Sequence, residues 1–515
     1  MKEFSNEVYF NFSDSAIFDK QKQAIMDVRA RFGKEYPNII GGKEVFTQKK
    51  TKSINPANPD ETIGVFQKAG KDEAEAAMQA AVTAYESWKK VPAAERANYL
   101  FKAAEEVRRR RMEINAWMIS EVGKNYLEAD ADTCEAIDFL EFYGREMLRY
   151  SEKQPLVQYP GEENEYFYIP LGVGLVIPPW NFPFAILVGM TSASIVAGNT
   201  VVLKPSSDSP MMGWLFTEIM KSVGLPEGVL NFCVASGAEA GDYLVEHPKT
   251  RFISFTGSME VGLRINEKAA VKSEGQIWIK RVIAEMGGKD AILVDSEADV
   301  DAAAQATLIS AFGFQGQKCS ACSRVIVDKK VYDEFVTKLL DKAKDLKVGN
   351  PMDNIYMGPV VNAKSEQNVL NYIEIGKKEG KLLFGGKKVD GLNGYFIEPT
   401  IIGDIKPNDR LAQEEVFGPL LAVIKAEDFE DGLNIVNGTI FGLTGAIFSK
   451  NEKKLERARN EFHAGNLYIN RKCTGALVGV QPFGGFNMSG TDSKAGSRDY
   501  LLLFMQGKSV CKKII

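Results

Sequence analysis

The chain has 515 residues, 45% of them hydrophobic and 25% charged, with a net charge of −5. That length predicts two to four structural units with cores of their own, and the near-neutral balance without a long basic run excludes a broad nucleic-acid surface. Six cysteines scattered over the chain are too few for a disulfide framework and suit a reducing, cytoplasmic setting.

The first residues, MKEFSNEVYFNFSD, contain no apolar core of the kind a secretory signal needs. Residues 70–150 space Ala, Leu, Met and Trp by three and four between charges, which predicts helices. From Tyr166 to Leu203 no Asp, Glu, Lys or Arg occurs. The prolines at 170, 178, 179 and 183 break that run, so it reads as buried strands and turns around a helix and not as a membrane span.

Alternation follows. VGLVIPP (173–179), NTVVLKPS (199–206), GVLNFCVAS (228–236) and RFISFTGS (251–258) read as strands separated by helical stretches, hence βαβ units and a parallel sheet. A second alternating set opens with RVIAEMGGKDAILVD and runs to about residue 470. The tail YLLLFMQGKSVCKKII is apolar and β-prone, suited to docking on another element or another subunit.

Four phrases carry chemistry. The chain has only His247 and His463, which leaves few candidates for an imidazole base and favours Glu, Asp or Lys. Cys319, in FGFQGQKCSACSR, stands between a Gly-rich turn and a β-rich run, a setting that leaves a thiol partly exposed, with Lys318 placed to favour the thiolate. A buried packing cysteine is the alternative. Cys319 and Cys322 form a C-x-x-C, but no second such pair and no nearby histidine completes a zinc site. Glu285, in AEMGGKD, can act as a base if buried, or be a solvated turn residue. Asn181, in IPPWNFPF, can donate to an oxyanion or cap a helix. FTGSMEVG (255–262) is a strand, a Gly turn and a helix start, an arrangement that binds phosphate, although no G-x-G-x-x-G occurs in the chain.

IPPWNFP, GNTVVLKPS, FTGSMEVG, AEMGGKD, GQKC, EEVFGP and QPFGGFNMSG stand in the order and at the spacings of the aldehyde dehydrogenase superfamily, and the chain resembles that family from about residue 45 to 511. QKCSACSR, NRKCTGALVGVQPFGG and SGTDSKAGSRDYLLLF resemble the branch that oxidises L-glutamate γ-semialdehyde, the open form of 1-pyrroline-5-carboxylate, to glutamate.

The resemblance implies an α/β fold: two Rossmann-like domains plus a β-flap for oligomerisation. Residues 1–151 and 172–285 would bind NAD, 286–495 would form most of the catalytic domain, and 152–171 with 496–515 the flap and tail. Cys319 resembles the nucleophile, Asn181 with the Cys319 N–H the oxyanion hole, and Glu285 the base that activates water. Lys204 and Glu415 resemble residues that hold the two riboses, and Phe417 packs by the nicotinamide. Ser258, Gly237 and Gly241 match pyrophosphate and helix-start positions, and Ile177, Pro179, Trp180, Ser206, Phe255, Gly257, Val261 and Gly287 complete the expected cofactor wall. Ser207 stands where many members carry a glutamate that repels a 2′-phosphate, so NAD is expected with NADP tolerated.

Gly475 and Ala476 resemble a loop whose N–H groups bind the substrate carboxylate, with Ser320 adding a hydroxyl. Phe182 and Phe483 would sandwich the aliphatic part, and Glu135 would face the ammonium. The implied partners are a small aldehyde and further copies of the chain, at least a dimer, with no nucleic acid, membrane or metal. The competing readings are another semialdehyde or broad-range aldehyde dehydrogenase, a cofactor-independent cysteine thioesterase and a retired enzyme. The last is disfavoured because nucleophile and base are both present.

Overall fold

The computed structural model describes residues 3–514. Two seven-stranded sheets organise them. The first runs Arg281–Glu285, Thr250–Thr256, Val173–Ile177, Thr200–Leu203, Leu230–Phe232, Asn38–Ile40, Lys43–Val45. Its first five strands are parallel, and the last two add antiparallel. Side chains alternate across it. Val201 and Leu203 enter the larger core beneath the N-terminal helices, while Val202 enters the opposite one.

Chain order reverses between Val173–Ile177 and Thr250–Thr256. Later strands are added on one side of Val173–Ile177 and Thr200–Leu203 on the other. Such a switch point opens a crevice at the carboxyl ends of the strands, where ligands of open α/β sheets bind. Ile177, Thr256 and Glu285 end three of these strands.

The second sheet is parallel except for its edge strand Lys381–Phe384. Cys319 lies just ahead of its strand Arg324–Asp328 and Glu415 just ahead of Leu420–Ala426. The amino ends of this sheet thus supply the residues that face the carboxyl ends of the first.

The structure revises the sequence reading in three places. RVIAE, expected to open the second set, pairs in register with Thr250–Thr256 and completes the edge of the first sheet. The strand expected over 228–236 is confined to Leu230–Phe232, because the chain then turns into a short wide-turn helix at Gly237–Gly241. The tail is split: Tyr500–Phe504 is a short helix with Tyr500, Leu501 and Phe504 buried, and Met505–Lys513 pairs antiparallel with Glu162–Pro170 of the same chain.

The uncharged run from Tyr166 to Leu203 contains the end of one strand, two more strands and the twelve-residue helix Ala185–Val196. No helix among the described residues is long and apolar enough to cross a membrane.

Candidate active site

Cys319 lies on the wall shared by two cavities. One is a cleft of about 1240 Å³ at the switch point of the first sheet. The other is a narrower cavity of about 840 Å³. Both also touch Thr256 and Met286.

The cleft collects most of the expected cofactor residues. Ile177, Pro179 and Trp180 come from the turn after the central strand, and Lys204, Ser206 and Ser207 from the next strand end. Phe255, Gly257, Ser258 and Val261 come from the following strand–turn–helix, while Gly237, Gly287, Glu415 and Phe417 close the rim. Gly241 does not line it: a Cβ there would lie 3.4 Å from Lys204 Cε, so it packs beneath the lysine stem.

The Ser258 hydroxyl accepts from the Val261 N–H and caps helix Met259–Ala270, whose amino end opens on the cleft. Lys204 is buried, its ammonium has the Pro205 carbonyl at 3.5 Å as its one hydrogen-bond partner among the described residues, and burial lowers its pKa. Glu415 accepts from the Gly288 N–H at 3.0 Å, and burial raises its carboxyl to about 7. Phe417 has φ of +59° and meets Trp180 edge-on at 5.5 Å. Backbone strain of this kind in a non-glycine residue persists only where surrounding structure enforces it.

These features fit a dinucleotide. The cleft is open with glycines along its lining, and the helix terminus and buried ammonium can meet phosphate and ribose oxygens.

The narrower cavity collects every expected substrate residue: Glu135, Phe182, Ser320, Gly475, Ala476 and Phe483. It also contains Glu285. One carboxylate oxygen of Glu285 accepts from the Ser493 hydroxyl, and the other has no partner among the described residues. Burial pushes its pKa up to about 8, against the opposing pull of Ser493 and Lys494. A carboxylate so placed is poised as a general base near neutral pH.

Asn181 is 3% exposed and donates from Nδ2 to the Gln317 carbonyl at 3.1 Å. It is not a helix cap; the next helix starts at Ala185 after Phe184. An amide nitrogen has two N–H groups, so the second is left for the cleft. The Cys319 thiol is partly exposed, yet desolvation by its surroundings and the Asp290, Glu415 and Glu285 carboxylates raise its pKa.

The expected help from Lys318 is not there: its ammonium pairs with Glu128 at 2.7 Å. Cys322 is buried and donates to the Arg324 carbonyl at 3.3 Å, a packing role. His463 is exposed, and His247 is held by Glu75 at 3.0 Å away from both cavities.

Sequence reasoning missed Pro178, Asp208, Thr256 and Met286 in the cleft, and Phe139, Tyr143, Ile186, Gly189, Met190, Ala495 and Tyr500 in the cavity. Phe139 and Tyr143 were findable, since they follow Glu135 at successive four-residue steps on helix Tyr126–Ser151 and share its face. Tyr500 carried no such signal.

The aldehyde dehydrogenase family model matches residues 45–510. The chain belongs to the aldehyde dehydrogenase family. Among members of that family, it is 55% identical over 508 residues to a 1-pyrroline-5-carboxylate dehydrogenase of Geobacillus thermodenitrificans, covering 98% of each chain. It is 54% identical to one of Bacillus subtilis, again over 98% of each. A solved 1-pyrroline-5-carboxylate dehydrogenase from Thermus with bound NAD superposes with a TM-score of 0.98 at 50% identity, over 100% of this chain and 99% of that one. A betaine aldehyde dehydrogenase from Staphylococcus aureus in complex with NAD+ superposes at 0.89 with 28% identity, over 95% and 96%.

Proposed function

We propose that the chain oxidises L-glutamate γ-semialdehyde, formed by opening of 1-pyrroline-5-carboxylate, to L-glutamate with NAD. The observation that carries this is the position of Cys319 on the wall between the cofactor cleft and the substrate cavity. A nucleophile there can hold an aldehyde carbon against a bound dinucleotide. A thioesterase would have no use for the cleft.

Cys319 Sγ attacks the aldehyde carbon and its proton passes to solvent water. The oxygen becomes an oxyanion facing the free Asn181 N–H and the Cys319 N–H, which stabilise it as charge develops. NAD, held by the cleft residues, would supply the hydride acceptor for conversion of the thiohemiacetal to a thioester. Glu285 then takes a proton from water, which attacks the thioester, freeing glutamate and the thiol.

At the far end of the cavity, Gly475 and Ala476 offer backbone N–H groups to the substrate carboxylate and Ser320 its hydroxyl. A Cβ on Gly475 would lie 3.4 Å from Lys472 Nζ, so a cation stands beside this anion nest. Phe182 and Phe483 contact the methylene chain. Glu135 is pushed up to about 8 by burial and by Asp132, so it faces the substrate ammonium largely as a neutral hydrogen-bonding acid at pH 7.

Residues 1–151 and 172–285 serve as the NAD domain and 286–495 mainly as the catalytic domain. The ribbon Glu162–Pro170 with Met505–Lys513 has only two strands. A lone pair of strands is marginal in water, which favours assembly of copies through residues 152–171 and 496–515. The free cysteines suit a cytoplasmic location.

The test is NAD reduction with 1-pyrroline-5-carboxylate by the wild type and by Cys319→Ala. The wild type is expected to be active and the variant silent; turnover surviving in the variant overturns the mechanism.

A further inference from the structure

The segment 3–13 precedes the family-matched span and contains neither helix nor strand, yet it is tied down tightly. The Asn6 amide donates to Asp138 Oδ2 and to the Val478 carbonyl, each at 2.9 Å. The Glu7 N–H donates to Asp138 Oδ1 at 2.7 Å, and the Phe10 N–H to Asp130 Oδ2 at 2.8 Å. The Arg111 guanidinium donates to the Val8 carbonyl at 3.0 Å and lies 3.7 Å over the Phe10 ring. Phe4 meets Phe142 edge-on at 5.1 Å.

Those contacts converge on two parts of the substrate cavity. Asp138 stands one turn beyond Glu135 on helix Tyr126–Ser151. Val478 and Gly479 end the loop that carries Gly475 and Ala476. Gly479 has φ of +76°, and a Cβ there would lie 3.1 Å from Phe142 and 3.2 Å from Phe4, so the two rings clamp the turn. From the other side the loop is held by the Gly479 N–H to the Gly496 carbonyl, with the Gly496 N–H donating to the Tyr143 hydroxyl, both at 2.9 Å. Asn6 is therefore a bridge from the cavity helix to the anchor loop.

We propose that the N-terminal strap is a specificity-determining positioning element, in which Asn6, with Phe4, fixes the 475–479 loop against helix Tyr126–Ser151 so that the Gly475 and Ala476 N–H groups meet the substrate carboxylate. The inference rests on the reading of that loop as the carboxylate anchor. An anion nest works only while its donors are held within a fraction of an ångström. An aldehyde without a carboxylate does not use the loop, so loosening it affects one substrate class and not the other.

The experiment compares wild type, Asn6→Ala, Phe4→Ala and a chain starting at Asp14, which keeps the side-chain cap of helix Ser15–Arg29. For each, kcat and KM are measured with glutamate semialdehyde, with propanal and with NAD, alongside the melting temperature. For Asn6→Ala, which removes both part-buried hydrogen bonds of the bridge, KM for the semialdehyde is expected to rise about fivefold, with kcat within about twofold. Its KM values for propanal and NAD stay unchanged, and the shortened chain shows the larger shift. An unchanged semialdehyde KM overturns the proposal. Parallel loss on both aldehydes with a lower melting temperature also overturns it, leaving a stability role only. If the shortened chain does not fold, Asn6→Ala and Phe4→Ala decide. A wild type without preference for the semialdehyde over propanal overturns the anchor reading itself and the strap proposal with it, an outcome visible before any variant is made.

Discussion

At the scale of single residues, burial sets the chemistry. Glu285 ends a strand in a cavity where desolvation outweighs its hydrogen bond to Ser493, so its carboxyl titrates at about 8 instead of near 4.5. The base form thus appears as pH rises. Turnover limited by thioester hydrolysis is expected to increase through about pH 8, and a rate flat between pH 6 and 9 contradicts that assignment. Glu285→Gln retains the nucleophile and the cleft, so one equivalent of NADH per active site is expected in a burst followed by near-complete arrest, read by stopped-flow absorbance. Ser207 lines the cleft beside Lys204 and Ser206 and brings no carboxylate of its own, while the neighbouring Asp208 is held by the Asn362 amide at 3.1 Å and burial raises its pKa. Ser207→Glu is expected to raise KM for NADP at least tenfold and leave KM for NAD nearly unchanged, the asymmetry expected of introduced charge repulsion.

At the scale of elements, a buried asparagine joins the flap to the first sheet. Asn199 Oδ1 accepts from the Leu171 and Gly172 N–H groups at 2.7 and 2.9 Å, and its Nδ2 donates to the Ser194 and Phe504 carbonyls at 3.1 and 2.9 Å. It therefore fixes the point where the strand Glu162–Pro170 leaves the core and where Tyr500–Phe504 docks. Asn199→Ala leaves buried donors and acceptors unpaired. A loss of about 2–4 kcal/mol is expected in denaturant unfolding, with a shift below 0.5 kcal/mol marking the network as dispensable. Helix Tyr126–Ser151 works similarly: it carries Glu135, Phe139 and Tyr143 into the cavity while Asp130 and Asp138 on its other turns receive the N-terminal strap.

At the scale of the whole molecule, the site exists only between the two sheets. The first presents carboxyl ends at its switch point, the second the loops before its strands, and neither encloses Cys319 alone. Among the described residues the two-stranded ribbon pairs with no further strand, which leaves an edge free on each side. On the proposed assembly through this ribbon, the wild type is expected above monomer mass by light scattering and a chain ending at Phe504 at monomer mass; an unchanged mass relative to wild type contradicts a contact through the ribbon.

The sequence by itself determined the candidate residues and their local scaffolds. The Gly-rich turn before Cys319, the Gly-Gly after Glu285 and the strand–turn–helix at Ser258 are local patterns, and periodicity assigns the main helices and parallel strands because hydrophobic spacing follows the backbone repeat. What the tertiary structure decided is what depends on distant neighbours. RVIAE could have joined either sheet, and only pairing with Thr250–Thr256 places it. Lys318 adjoins Cys319 in sequence but finds Glu128 on helix Tyr126–Ser151, a partner 190 residues away. The tail finds Glu162–Pro170, and Asn6 finds Val478 across a separation of 472 residues. Protonation belongs to the same class, because the pKa of Glu285 follows from a burial that no local run of residues encodes.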